Sequence, residues 1–481
     1  MEKSRAAGTI VELYDEIREL YLADERPWVL GFSGGKDSTC TLQAVWVAIA
    51  ALPPEKRKKT VYVISSDTLV ETPVIVNYID ETLARINDVS IEKNLPFRTH
   101  KVSPRIDRSF WVNLIGRGYP APSRRFRWCT ERLKIEPANE FILDRVAEFG
   151  EVIVVLGVRS AESATRAQVM SLHRIKGSRL SRHSTLTNAF VYSPIESFTT
   201  DEVWSYLLQN DSPWGNDNRD LVAMYRNAQA GECPLVVDTT TPSCGNSRFG
   251  CWVCTVVTKD KAMEAMIDSG QDWMTPLLEY RDMLADTQIP EKKREVRDFR
   301  RRTGQISFKT DSDEIIPGPY TLDFCKTLLE NLLKAQKEVQ HEAPPGEATQ
   351  LIHEVELHAI RQIWRQERGD WQDSVPQIVK SVMGIDLDWI ADDAATYTHE
   401  DGLLLKSICD ETNTPIDLVI RLLDVERSTR GMKRRHAIHT RLEKILAEDW
   451  RNLEEILKDR RSELNSFGEA HSELKLIEIE D

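Results

Sequence analysis

One glycine-rich segment carries most of the information about the fold: Gly31-Phe32-Ser33-Gly34-Gly35-Lys36-Asp37-Ser38-Thr39. The apolar run before it, Trp28-Val29-Leu30, predicts a buried strand. The alanine-rich residues 39–52 after it predict a helix that ends before Pro53-Pro54. A strand, a glycine-rich turn and a helix N-terminus form an anion site, because backbone N–H groups converge there and the helix dipole adds positive charge. We therefore expect the loop to bind a phosphate chain.

The loop is not a Walker P-loop, since its spacing is shorter than G-x-x-x-x-G-K-[ST] and Asp37 follows the lysine. Its S-G-G-x-D-S pattern resembles the pyrophosphate-binding loop of the N-type ATP pyrophosphatase superfamily. The resemblance implies that the loop grips the β,γ-pyrophosphate of ATP, with Mg²⁺, and leaves the α-phosphorus open to attack. The nucleotide-binding residues it implies here are Ser33, Gly34, Gly35, Lys36, Asp37, Ser38 and Thr39. A glycine-rich turn without a ligand is the alternative.

Composition sets the general class. The chain has 481 residues, of which 41% are hydrophobic and 29% charged, so two or three globular domains are expected. The net charge is -14, which means that any nucleic-acid-binding face must be a local patch. The sequence shows no secretory pattern and no apolar run of the ~18 residues that span a bilayer, so we expect a cytoplasmic protein without a membrane partner. Eight unevenly spaced cysteines suggest thiols or metal ligands more than a disulfide framework.

Alternating strand and helix patterns fill the first part of the chain. The predicted strands are residues 28–30, 60–68, 97–102 and 151–156, and the predicted helices are residues 8–23, 39–52 and 73–87. This alternation predicts an α/β fold with a doubly wound parallel sheet. Asp67 would lie at the carboxyl end of the second strand, where such sheets bind ligands, and is a candidate for ribose or adenine contact.

A basic block at residues 98–134 interrupts this acidic protein. Its cations are Arg98, Lys101, Arg105, Arg108, Arg117, Arg124, Arg125, Arg127, Arg132 and Lys134. Aromatic residues lie among them: Phe110, Trp111, Tyr119, Phe126 and Trp128. Such interleaving is typical of a phosphate- and base-binding surface. A solvated basic loop is the alternative.

Ordered motifs continue beyond the loop. In sequence they are Asp67-Thr68, then Cys129 to Pro137 (C-x-x-x-x-K-x-x-P), Gly157 to Arg166 (G-x-R-x-x-E-S-x-x-R) and Pro194 to Tyr206. With the loop, they resemble the PAPS (phosphoadenosine phosphosulfate) reductase branch of the superfamily over about residues 28–207. Departures from its pattern are Phe198 in place of tryptophan, Glu202 in place of aspartate, and Trp128-Cys129 in place of paired cysteines.

That resemblance implies an adenine nucleotide α-hydrolase-like fold and adds site residues. Gly157, Arg159 and Arg166 would join Lys36 at the phosphates. Cys129 is the candidate sulfur carrier, and we expect neighbouring Arg127 and Arg132 to favour its thiolate. A structural cysteine is the alternative.

A second cluster consists of cysteines in the spacing C-x10-C-x6-C-x2-C: Cys233, Cys244, Cys251 and Cys254. Four cysteines so close together indicate a metal site, and the spacing fits both zinc and an iron–sulfur cluster. The reductase-like relatives often hold a [4Fe–4S] cluster, and apolar residues such as Trp252, Val253 and Val256 would shield one. We therefore favour [4Fe–4S] over zinc.

The run Arg248-Phe249-Gly250-Cys251-Trp252-Val253-Cys254-Thr255-Val256-Val257 narrows the resemblance to the DndC-type sulfurtransferases of bacterial DNA phosphorothioation. This likeness covers roughly residues 10–330. It implies replacement of a non-bridging oxygen of the DNA backbone by sulfur. It also implies a cysteine desulfurase as sulfur donor and other Dnd-type proteins as partners.

The rest of the chain is less informative. Lys292, Lys293, Arg294, Arg297, Arg300, Arg301 and Arg302 form a basic run that predicts a helix, either solvated or contacting phosphates. Residues 341–347 read as a linker, and the segment after them as mostly helical. We expect three regions: a nucleotide-binding domain at 1–230, a cysteine-cluster and basic helical region at 231–340, and a helical region at 341–481.

Two classes of function follow. The first is an enzyme in which ATP cleavage activates an oxygen for displacement by sulfur, with Lys36, Asp37, Cys129, Arg159 and Arg166 at its centre. A variant within this class reduces a sulfonucleotide (APS or PAPS). The second is a non-catalytic subunit that senses nucleotide and DNA.

Overall fold

The structure, a computed structural model, describes residues 8–162, 168, 171–227, 250–345, 350–389, 397–429 and 436–477. The first part of the chain alternates strands and helices, as predicted. Its helices are α1 (Gly8–Leu22), α2 (Lys36–Ala50), α3 (Pro73–Glu92), α4 (Glu136–Phe149), α5 (Thr200–Gln209) and α6 (Asn218–Asn227). Its strands are β1 (Trp28–Gly31), β2 (Val61–Ser66), β3 (Phe97–Val102), β4 (Val152–Val155), β5 (Ser181–Arg182) and β6 (Ala189–Tyr192).

Further helices follow in the described part of the chain. They are α7 (Lys261–Asp268), α8 (Thr275–Asp286), α9 (Pro290–Val296), α10 (Leu322–Glu342), α11 (Glu354–Glu367), α12 (Ser374–Met383), α13 (His399–Thr412), α14 (Ile416–Thr429), α15 (His436–Leu446) and α16 (Leu453–Ile477). No described helix is both long and apolar enough to cross a bilayer.

The strands form one sheet in the order β3-β2-β1-β4-β6-β5. All neighbours pair in parallel except β5, which runs antiparallel to β6. Trp28 of β1 is in register with Val61 of β2 and Ile153 of β4. From β1 the chain adds β2 and β3 on one side of the sheet and then β4 on the other side. The segments that follow β1, β2 and β4 therefore meet at the same edge of the sheet. The predicted doubly wound α/β fold is confirmed.

Both faces of the sheet are covered. Alternate side chains of β1 point to opposite faces, so Trp28 and Leu30 join one buried cluster and Val29 joins another. Helices α1 and α2 pack on the first face, and α4 packs on the second. A strand buried on both sides requires an unbroken apolar run, which is why Trp28-Val29-Leu30 could be identified from sequence.

The chain forms two compact units. The first contains the described residues of Met1–Phe110, Pro122–Asp282 and Glu338–Leu351, and therefore the whole sheet. The second contains those of Trp111–Ala121, Met283–Lys337 and Ile352–Asp481. The predicted domain boundaries stay a prediction.

The second unit is built around a buried π-helical segment, Val112–Gly116. Helix α11 packs against it, and the Trp364 indole N–H donates to the carbonyl of Ile115 (2.9 Å). The Tyr320 hydroxyl accepts a hydrogen bond from the Ala121 N–H (2.9 Å). Trp111–Ala121 is thus held by side chains far along the chain.

The prediction of one basic helix over residues 292–302 is wrong. Helix α9 ends at Val296, and the arginines beyond it fasten loops of the second unit. Arg297 donates from Nε to the Gly318 carbonyl (2.6 Å) and from Nη2 to the Pro317 carbonyl (2.5 Å). Arg300 donates to two further backbone carbonyls. These guanidinium groups are structural donors and do not form a phosphate-binding stripe.

Candidate functional site

The glycine-rich loop leads from β1 into the first turn of α2. Gly34 has φ +71°, in the left-handed region that glycine adopts without strain. The Ser38 hydroxyl donates to the Gly35 carbonyl (2.9 Å) and accepts from the Ser33 N–H (3.2 Å). These bonds fix the loop as a tight turn, so its backbone is already ordered for a ligand.

Gly157, two residues after β4, lies directly against the loop. A Cβ atom there would be 2.7 Å from the carbonyl oxygen of Asp37 and 2.9 Å from the nitrogen of Ser38. No side chain fits at such distances, so glycine is required for this close approach. Its contact with a nucleotide stays a prediction.

Three charged side chains form a buried cluster behind the loop: Lys36, Asp37 and Arg159. Asp37 Oδ2 accepts from Lys36 Nζ (2.7 Å), and Asp37 Oδ1 accepts from Arg159 Nε (2.6 Å). The residues are 2%, 7% and 1% exposed, in that order. The carboxylate thus holds an ammonium and a guanidinium together beneath the loop, and these are the two groups that best neutralise a phosphate chain.

Arg159 is held in place from a second side. Its Nη1 donates to the Phe198 carbonyl (3.4 Å) and to the Thr200 hydroxyl (3.3 Å), at the start of α5. A capping box of Thr199 and Glu202 begins that helix. The motif at residues 194–206 therefore positions Arg159. Each Asp37 oxygen thus accepts a charge-assisted hydrogen bond from one of the two cations.

Sequence reasoning missed Tyr225 of α6. The Tyr225 hydroxyl accepts a hydrogen bond from the backbone N–H of Lys36 (3.2 Å), and the Lys36 Nζ atom lies 5.9 Å from the centre of its ring. That N–H is one of the groups expected to face a phosphate. A tyrosine in an amphipathic helix looks like a core residue, so the sequence carries no signal for this contact.

Asp67 lies at the end of β2, as predicted. Its Oδ1 accepts from the Leu69 N–H (2.9 Å), and its Oδ2 lies 3.0 Å from Lys101 Nζ. Lys101 also pairs with Asp80 (3.0 Å). The carboxylate is therefore oriented at the ligand-binding edge, and its contact with ribose or adenine stays a prediction.

The C-x-x-C segment is docked on the loop that follows β2. An antiparallel bridge joins Cys251 to Glu71, and the Trp252 N–H donates to the Val70 carbonyl (3.0 Å). The Cys254 N–H donates to the Cys251 carbonyl (3.1 Å), which closes a turn between the two thiols. The segment therefore reaches the edge of the sheet at which the glycine-rich loop lies.

Glu71, which sequence reasoning also missed, is the polar centre of this region. Its Oε1 accepts from the Thr68 hydroxyl (3.0 Å), lies 3.4 Å from Lys134 Nζ and lies 3.7 Å from the Cys251 sulfur. Burial, and then the charge of Glu71, raise the pKa of the Cys251 thiol well above its usual range. A metal ion bound to this sulfur would have to offset that cost, because the thiolate is the form that ligates metals.

Cys129 lies near the C-x-x-C segment. Burial, and then Cys254, raise the pKa of Cys129 to about 11, and Lys134 opposes them. The direction of this pKa is opposite to the expectation that Arg127 and Arg132 favour the Cys129 thiolate, because desolvation outweighs Lys134, the cation that lowers it. We refer to Cys129, Cys251 and Cys254 as the thiol group.

Three predicted site residues lie outside the described part of the chain: Arg166, Cys233 and Cys244. Among the described residues, no three histidine, cysteine or acidic side chains stand close enough to hold a metal ion. Cys251 and Cys254 have the soft sulfur donors and the turn that a [4Fe–4S] cluster or zinc accepts. The cluster stays a prediction that needs at least one ligand from the residues not described.

The expected base-binding surface in the basic block is wrong in its aromatic part. Phe110, Trp111 and Trp128 are 1%, 0% and 7% exposed. Phe110 and Trp128 stack on each other with their ring centres 5.3 Å apart. These rings are core, and Phe126 is the large aromatic side chain of the block that remains exposed, at 47%.

Residues 27–256 match the family described as the phosphoadenosine phosphosulfate reductase domain. The matched segment contains the glycine-rich loop, the thiol group and the buried cluster of Lys36, Asp37 and Arg159. This segment, which is just under half of the chain, is therefore similar to that domain and contains the whole parallel sheet.

A similar protein adds little to the assignment of a function. "Uncharacterized protein MJ0066" of Methanocaldococcus jannaschii is 27% identical over 215 residues, which are 44% of this chain and 38% of the relative. The chain thus spans well under half of that relative's length.

Two solved structures are also similar. The U34-tRNA thiolase NcsA from Methanococcus maripaludis, with its [4Fe-4S] cluster, is 11% identical, with 61% of this chain and 82% of that chain covered and a TM-score of 0.28. The FMN adenylyltransferase of Candida glabrata, in complex with FAD and inorganic pyrophosphate, is 13% identical, with 43% and 60% covered and a TM-score of 0.25. Both scores are too low for these likenesses to support an assignment.

Proposed function

We propose that this protein, with its PAPS reductase-like domain, is an ATP-dependent sulfurtransferase that places sulfur in the DNA backbone. One observation carries the proposal: a loop suited to phosphates and a group of thiols occur at the same edge of one sheet. The loop follows β1 above the buried cluster, and the thiols dock beside the end of the neighbouring strand β2. A reaction that couples ATP cleavage to sulfur transfer needs both.

In the proposed first step the loop, Lys36 and Arg159 hold the β,γ-phosphates of ATP, with Arg166 in the same role. A non-bridging oxygen of a DNA phosphodiester attacks the α-phosphorus. The α–β bond breaks, pyrophosphate leaves, and the DNA phosphorus is linked to AMP through the attacking oxygen. Positioning and charge neutralisation supply the rate, because phosphoryl transfer needs little other help from a protein.

In the second step sulfur displaces that oxygen. A cysteine desulfurase loads Cys129 as a persulfide, and its terminal sulfur attacks the DNA phosphorus while AMP departs with the oxygen. The product is a Cys129–S–S–P linkage. Two equivalents of a small thiol supply two electrons and two protons, which restores the Cys129 thiol, forms the small-molecule disulfide and leaves phosphorothioate DNA.

Two further groups belong to the proposal. Mg²⁺ on the ATP phosphates would neutralise charge on the pyrophosphate as it leaves. A [4Fe–4S] cluster on Cys233, Cys244, Cys251 and Cys254, with zinc as the less favoured occupant, would supply a soft, redox-capable metal centre beside Cys129.

The likeness to the DndC-type sulfurtransferases extends the proposal to partners. The proposed partners are DNA, a cysteine desulfurase and other Dnd-type phosphorothioation proteins. The proposed location of the reaction is the cytoplasm. The run Arg248–Val257, which carries the likeness, includes the docked C-x-x-C segment.

Reduction of a sulfonucleotide is the second candidate, and the match to the PAPS reductase domain favours it. That reaction consumes two electrons and forms sulfite, without release of pyrophosphate from ATP. A non-catalytic sensing subunit would form neither product.

Product analysis tests the proposal. The full chain, given ATP, Mg²⁺, duplex DNA and a persulfide donor, should release pyrophosphate, and Arg159→Lys, which keeps a buried cation but loses the planar guanidinium, should release far less. Arg85→Lys, at an exposed position, is the control. Sulfite from APS with no pyrophosphate from ATP would establish the reductase, and neither product would favour the sensing subunit.

A further inference from the structure

A two-residue turn stands out from the basic block. The Ser123 and Phe126 backbones exchange two hydrogen bonds, each 3.1 Å long, so Arg124 and Arg125 form the tip of a short hairpin. Both arginines are exposed. Within the part of the chain that the structure describes, neither has an ion-pair or hydrogen-bond partner. Phe126 adds a ring that is 47% exposed.

Other cations of the block are already neutralised by carboxylates. The pairs are Lys101 with Asp67 and Asp80 (both 3.0 Å), Arg105 with Asp107 (3.3 Å), Arg108 with Glu136 (2.6 Å) and Lys134 with Glu71 (3.4 Å). Composition could not separate these paired cations from the two at the tip. The structure thus sets four of the block's ten cations apart from the two exposed guanidinium groups of the turn.

The base of this hairpin is fixed to the thiol group. The Thr255 hydroxyl donates to the Pro122 carbonyl (2.6 Å), and Thr255 is the residue after Cys254. On the other side the chain passes through buried Trp128 directly to Cys129. The tip of the hairpin is therefore connected on both sides to the cysteines, which lie a few residues away. A phosphate bound at the tip would be held by the same connections.

We propose that the Arg124–Phe126 turn grips the phosphate backbone of DNA and presents a phosphodiester to the thiol group. This inference rests on the proposed function, because it supplies the DNA contact that sulfur transfer requires. Arginine forks bind phosphate oxygens in pairs, and an adjacent aromatic ring offers a face to bases or sugars. On a protein of net charge -14, generic attraction cannot replace such a contact.

Salt dependence of DNA binding tests the turn. Each phosphate contact releases condensed counterions, so removing two contacts should lower the slope of log K against log salt by ~1.8. We expect Arg124→Gln with Arg125→Gln to show this loss on a fluorescent duplex, measured by anisotropy with the full chain. Arg85→Gln with Lys93→Gln changes the charge equally at exposed sites outside the basic block and should leave the slope within error.

The outcomes distinguish a failure of the proposed DNA function from a failure of the turn proposal alone. If wild-type protein binds no duplex at low salt, the DNA function and the turn both fail. If it binds, and the turn variant keeps the wild-type slope or loses no more than the control, the turn proposal alone is wrong. Weaker binding of ATP or APS with an unchanged DNA slope would show that the turn holds a small nucleotide and would also overturn the proposal.

Discussion

At the scale of single residues, the carboxylate of Asp37 holds together the buried charged cluster behind the glycine-rich loop. It contacts Lys36 Nζ at 2.7 Å and Arg159 Nε at 2.6 Å, where almost no water reaches it. The sequence pattern indicates Asp37 as a nucleotide-binding residue, which stays a prediction. In the structure it is the anion that keeps two buried cations together, so its removal affects the fold as well as any chemistry.

Asp37→Ala should therefore destabilise the protein by about 3 to 5 kcal/mol, since removing one partner from a buried ion pair leaves an uncompensated charge. Added pyrophosphate should raise the melting temperature of the variant more than that of wild type, because the anion takes the place of the carboxylate. Thermal denaturation with and without pyrophosphate measures both effects. Asp80→Ala, at a half-exposed ion pair, should show neither. A variant of normal stability that pyrophosphate does not shift would contradict this role.

The Tyr225 hydroxyl competes for the Lys36 N–H. Tyr225→Phe removes that acceptor, so a phosphate oxygen would no longer have to displace it. A hydrogen bond contributes ~1 kcal/mol net, which corresponds to roughly fivefold tighter ATP binding. Isothermal titration calorimetry measures the change, and Tyr14→Phe, which alters a tyrosine pair elsewhere in the same unit, is the control. Equal or weaker ATP binding by the Tyr225 variant would count against the loop as the phosphate site.

At the scale of elements, local patterns were readable and long-range partners were not. The strand–loop–helix order around the glycine-rich loop depends on neighbouring residues, so the sequence sufficed to predict it. The Asp37–Arg159 pair joins residues 122 positions apart, and only the winding of the sheet brings them together. Likewise, composition could not tell that Trp128 is core while Arg124 and Arg125 are exposed.

Residues 290–302 show the same limit and allow a direct test. Arg297→Ala would leave the Gly318 carbonyl without its arginine donor, at a cost of roughly 1 to 3 kcal/mol if no water replaces it, and would leave the Pro317 carbonyl with the longer bond from Arg301 alone (3.3 Å). Urea unfolding should therefore show a clear loss of stability. Arg294→Ala, whose side chain is 71% exposed, should unfold like wild type. The reverse order of stabilities would restore the basic run as a solvated surface.

At the scale of the whole molecule, the metal content tests whether Cys251 and Cys254 bind a cluster together with Cys233 and Cys244. Anaerobically purified protein should contain iron and sulfide, and Cys→Ser at 233, 244, 251 or 254 should lower both, because each removes one thiolate ligand. Cys409→Ser, at a buried cysteine of the second unit, should keep them. Iron lost in Cys129→Ser but kept in Cys233→Ser would move the ligand set to the thiol group and overturn the assignment. Zinc without iron would also contradict it.

The most direct test of the whole account is the chemical analysis of DNA after reaction. Duplex DNA would be incubated with the protein, its sulfur donor, a thiol reductant, Mg²⁺ and ATP, digested with nuclease, and examined by mass spectrometry for phosphorothioate-linked dinucleotides. We predict such dinucleotides with ATP and none with an analogue whose α–β bridge is a methylene group, since that bond must break. DNA without sulfur in the presence of ATP, together with sulfite formation from APS, would contradict the account.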